Sequence, residues 1–144
     1  MGPMSPDDKL LYGDPYVTVT VSASTGLYRF TRSPLPYPSI AEMQHGFMQL
    51  LERLHSLKPQ RAALLVDMRL APARNDPAFE EAQAQLRQRM LSHFDRLATL
   101  VASTTGLLHV QRFSRQDRIP VVGFVSEPAA VDYLLTGVLP ASRS

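Results

Sequence analysis

The chain contains no cysteine and no tryptophan. The first absence excludes disulfides, thiolate metal sites and cysteine nucleophiles, and it fits a reducing compartment. Long apolar runs are missing too. The longest clean one is AALLV, residues 62–66, far short of the roughly 20 residues a membrane helix needs. Charge of one sign is nowhere concentrated: the formal net charge is +2, and the arginines, which greatly outnumber the lysines, are scattered. A nucleic-acid binder gathers such residues into a patch or arm, so no nucleic-acid partner is expected. There is no G-x-S-x-G, no P-loop and no G-x-G-x-x-G, and no carboxylate pair within such a catalytic motif. No catalytic signature is left, and no enzyme is expected.

What is present suffices for one core. The 144 residues are 44% hydrophobic and 19% charged, a single-domain length and not a disordered composition. The opening MGPMSPDDKLLYGDP carries acids and prolines where a signal peptide has a basic start and an apolar core. Pro6 stands where a myristoylation motif needs Ser or Thr. Met1–Pro3 reads as a cloning remnant ahead of a native Met4. Residues 1–14 are set aside as a tail, 15–137 as one domain, and 138–144 as a second tail.

YVTVTVSA (16–23) alternates like a half-buried strand, and LYRFTR (27–32) alternates again after a Gly-containing turn, so the two predict a hairpin. The three prolines of SPLPYPS then form a stiff extended connector without P-x-x-P. Ser39 and Glu42 have capping-box spacing. Ile40, Met43, Phe47, Leu50, Leu51, Leu54 and Leu57 follow at helical intervals until Lys58-Pro59 stops them. AALLVDM is too short for a helix and apolar on both faces, as a central parallel strand is. In NDPAFEEAQAQLRQRML, Asp76 is the expected N-cap and Pro77 the first helical residue. RLATLVAS (96–103) predicts another strand, TTGLLHVQRFSRQD a third helix, IPVVGFVS (119–126) a further strand, and EPAAVDYLL a last helix capped by Ser126. The order β-β-α-β-α-β-α-β-α predicts an α/β domain: a mixed sheet of about five strands with a parallel centre, and four helices.

That order, with the segments LLVDMR…NDPAFEEA and VVGFVSEPAAVDYL, resembles the STAS superfamily of anti-sigma-factor antagonists, and most closely its SpoIIAA-like branch of small bacterial proteins. The resemblance spans about residues 16–136. It implies a cytoplasmic, regulatory, non-enzymatic module that binds another protein; some proteins of this fold instead hold lipids or other apolar molecules between helices and sheet. Phosphoswitch members carry Asp-Ser-Ser-Gly at a helix N-terminus, which falls here near Arg74, Asn75, Asp76 and Pro77. No serine or threonine lies between Asp67 and Gln88, so the phosphoswitch does not carry over, and Asp76 places one fixed carboxylate near its position.

Three groups of residues are candidates for function. Arg69, Arg74, Asn75 and Asp76 form an expected protein-docking loop. Asp67, Ser103, Thr104 and Ser126, with Glu127, sit at strand carboxyl ends, where parallel sheets present ligands. The competing reading is that Asp76, Thr104 and Ser126 cap helices while Asp67 and Arg69 satisfy the backbone or each other. Phe47, Met48, Met90 and Phe94 would line an apolar pocket, and at helical spacing they also suit a plain core. Phe47 and Met48 are adjacent and cannot both face one stripe, so one of them suits a pocket mouth or a homodimer contact. His45, His55, His93 and His109 are dispersed without metal-ligand spacing, so neither metal nor cofactor is expected.

Overall fold

The computed structural model describes residues 6–59, 62–73, 76–117 and 120–139. Among these residues ten elements run in the order β1 (Asp8–Gly13), β2 (Val17–Ser22), β3 (Tyr28–Arg32), α1 (Ile40–Leu57), β4 (Ala63–Asp67), α2 (Pro77–Leu91), β5 (Arg96–Leu100), α3 (Thr104–Asp117), β6 (Val122–Phe124) and α4 (Glu127–Thr136). The strands form one α/β sheet in sequence order, β1 to β6. β1, β2 and β3 pair antiparallel, and β3 through β6 pair parallel.

The sheet therefore has six strands rather than about five, and the addition is β1, inside the segment set aside as a tail. Its sequence DKLLYG hides the strand period because Leu11 and Tyr12, adjacent in sequence, both pack toward the core beneath α1. A register shift between Leu10 and Tyr12 permits this: one extra residue turns two consecutive side chains toward one face. Arg53 of α1 donates from Nε to the Leu11 carbonyl at 3.0 Å, and Tyr12 donates its hydroxyl to the Gly46 carbonyl at 3.1 Å.

Strands taken in sequence order and linked by right-handed crossovers place every crossover helix on one face. The larger core lies there, where Leu64, Val66 and Leu97 of the sheet meet Phe47, Leu50 and Leu54 of α1 and Phe79, Leu86 and Met90 of α2. α3 joins this face at Gly123, where an added Cβ would lie 3.1 Å from Leu107. α4 follows the last strand and folds back across the other face, over Leu65, Ala98, Leu100 and Phe124, each 0% exposed. Burying such a side chain stabilises by roughly 1.5–3 kcal/mol, so one ten-residue helix suffices to hold that side closed.

The helix ends follow the local sequence. Ser39 accepts from the Glu42 amide at 3.1 Å, Asp76 from Phe79 at 3.3 Å and Ser126 from Ala129 at 3.3 Å. α3 starts at Thr104, so its cap is Ser103, whose hydroxyl accepts from Gly106 at 3.3 Å, and not Thr104 as the sequence suggested.

Candidate functional site

Asp67 ends β4 on the face that α4 covers, because it lies two residues beyond Leu65 and side chains alternate along a strand. Arg69 follows in the next turn and closes back on it: Nε reaches Asp67 Oδ1 at 3.0 Å and an amino nitrogen reaches Oδ2 at 2.8 Å. The same amino nitrogen meets Glu127, the first residue of α4, at 2.8 Å. Arg29 on β3 completes the figure, with Glu127 at 2.8 Å and Asp67 at 3.3 Å. Two arginines and two carboxylates thus alternate around a closed, charge-neutral ring at the carboxyl end of the sheet.

Burial alone would raise the Asp67 carboxyl, whose side chain is only 9% exposed. The hydrogen bonds and charge of Arg69, with Arg29 behind them, outweigh burial and hold it below the usual carboxylate value. Reciprocally, Arg69 is held more firmly protonated than a free guanidinium, first by its hydrogen bond to Asp67. Each cation already has its anions, so the ring does not offer an open charge to a substrate. Its effect is mechanical: it ties the turn after β4 to the N-terminus of α4, and the Asp67 carboxylate also accepts from the Arg69 amide at 3.2 Å. Leu70, next in that turn, is 47% exposed.

The expected docking loop divides accordingly. Arg69 belongs to the ring, Asp76 caps α2, and Arg74 and Asn75 lie outside the described residues. Of the strand-end cluster, Asp67 is in the ring, while Ser103 and Ser126 cap α3 and α4 and Thr104 is the exposed first residue of α3. Sequence reasoning placed Arg29 only within a strand; its partners lie 38 and 98 positions away, and local pattern carries no such signal. Glu127 was visible at a strand end but not as a ring member.

Phe47, Met90 and Phe94 are core residues, 4%, 3% and 7% exposed. Met48 is the outward member of the adjacent pair, with Arg89 3.7 Å from its sulfur. The crevice beside Phe47, lined also by Tyr12, Asp14 and Tyr37, has no room for a water molecule. Burial pushes Tyr37 up to about 12 there, against the lowering influence of Arg32. Among the described residues no cluster of His, Asp and Glu is arranged to hold a metal, and no helix is long and apolar enough to cross a membrane. Comparison with family models, with curated proteins and with solved structures returned no match.

Proposed function

We propose that the chain is a regulatory protein-binding module of STAS-like type, working in a bacterial cytoplasm without catalysis, and that its partner docks on the loops at the carboxyl end of the parallel strands. The observation that carries this reading is the neutral ring of Arg29, Asp67, Arg69 and Glu127. It fixes the turn that presents Leu70, and a surface held in its bound shape loses less entropy on association. A catalytic role for the ring has little support, because every charge in it is matched by a neighbour.

The phosphorylatable serine of the phosphoswitch members has no counterpart between Asp67 and Gln88, so this docking is constitutive. The alternative, a carrier of an apolar ligand in a helix–sheet pocket, draws less support, since three of its four expected wall residues are packed in the core.

Affinity capture from a bacterial lysate tests the reading with three baits: wild type, Leu70→Asp, and Val138→Asp, a 67% exposed position past the end of α4. Such exposed changes typically alter stability by less than about 0.5 kcal/mol. A protein held by wild type and Val138→Asp but lost from Leu70→Asp supports the reading; identical capture by all three overturns it.

A further inference from the structure

The opposite end of the sheet holds a feature that the docking reading does not use. At the amino ends of β4 and β5, beside the last turn of α4, lies an open pocket of about 300 Å³ whose lining includes Gly26, Leu27, Asp95, Arg96, Leu134 and Leu135. That volume is at the lower end for small-molecule sites.

Its two charged residues are adjacent in sequence yet do not pair. Arg96 donates one amino group to the Leu134 carbonyl at 2.9 Å, which anchors the guanidinium against the C-terminus of α4, where a cation is favoured by the helix dipole. Gly137 lets it approach: a Cβ there would stand 2.7 Å from the other amino nitrogen. A guanidinium carries five donors, and the Leu134 carbonyl takes one of them. The Asp95 amide donates to the Ala62 carbonyl at 3.0 Å, while its carboxylate has no hydrogen-bond or ion-pair partner among the described residues. An anchored cation and an exposed anion without a protein partner thus line one open pocket, with Leu27 and Leu135 beside them.

We propose that this pocket binds a small zwitterion of the α-amino-acid type: Arg96 takes its carboxylate, Asp95 its ammonium, and Leu27 and Leu135 flank its side chain. Arginine suits the first role because its fork matches both carboxylate oxygens.

The test is an NMR titration of the full chain with leucine, with 4-methylpentanoate, which lacks the ammonium, and with isopentylamine, which lacks the carboxylate. Leucine is expected to shift the amides of Gly26, Leu27, Arg96 and Leu135, and each truncated ligand to bind at least about tenfold more weakly, because it leaves a charge of the site unanswered. Asp95→Asn is the informative variant: it leaves the α4 anchor intact, so the melting temperature stays while leucine affinity falls by about tenfold. Arg96→Met would also release the helix and so would confound the reading. No shifts with leucine up to roughly 10 mM, equal binding of either truncated ligand, or unchanged affinity in Asp95→Asn would each overturn the proposal. Docking at the other end of the sheet stands or falls separately.

Discussion

Arg29 and Glu127 are 98 residues apart in the chain and 2.8 Å apart in the fold. The pair joins β3, where the sheet changes from antiparallel to parallel pairing, to the first turn of α4. Arg29→Met should therefore loosen α4 more than it weakens the domain. Part-exposed ion pairs contribute about 1 kcal/mol or less each, so the urea midpoint should fall only slightly. Amide exchange in Ala130–Leu134 should accelerate while exchange in α1 stays near wild type. Equal acceleration in both helices would mean that Arg29 acts on global stability rather than on α4.

Asp67 gives the pH dependence its sign. Its carboxyl is depressed below 3.8 in the folded protein, so its contribution is fully present above the unfolded-state value and is lost as pH falls through the lower folded one. Asp67→Asn removes that contribution at every pH. The stability gap between wild type and Asp67→Asn, measured by urea unfolding, should be widest near neutrality and narrow progressively below about pH 4. A gap that stays constant into strong acid would contradict the assignment.

Gly106 looks replaceable, since it sits in the first turn of α3, where alanine propensity is better by about 1 kcal/mol. Packing reverses the sign. An added Cβ would lie 2.8 Å from the Val101 Cβ, and overpacking of that kind costs typically 1–3 kcal/mol. Gly106→Ala should lower the melting temperature; a rise would show that α3 slides away freely.

Leu65 is 0% exposed between α4 and the neighbouring strands. Leu65→Asp places an unpaired charge there, at a cost of several kcal/mol that rivals the whole stability of a domain this size. The expected outcome is loss of the cooperative thermal transition. A melt close to wild type would be incompatible with the strand order.

Legibility in the sequence tracked how local each cause was. α2 was readable because Asp76 and Pro77 announce its start, and α1 because Ser39 and Glu42 do the same. β4 was readable because burial on both faces leaves an unbroken apolar run. β1 was not, since its bulge sets two leucines and a tyrosine in a row where alternation is the signal. Of the expected strand 119–126, Ile119 lies outside the described residues, and among the others β6 spans Val122–Phe124, the stretch that pairs with β5. Within the site, Asp67 and Arg69 are two residues apart and their pairing was foreseen as one option. Arg29 and Glu127 come from distant segments, and only the folded sheet brings them to the same corner.

The register shift in β1 has a consequence for how copies of the protein meet in a crowded solution. β1 is the outermost strand on its side of the sheet, and a flat terminal strand is a template on which another chain can grow by backbone pairing. Here the extra residue twists that rim, Arg53 takes up the Leu11 carbonyl, and Lys9 stands exposed beside it. A second chain approaching in register meets a bent ladder, an occupied acceptor and a charge. The irregularity that concealed the strand in the sequence also makes this one edge a poor template for a further strand.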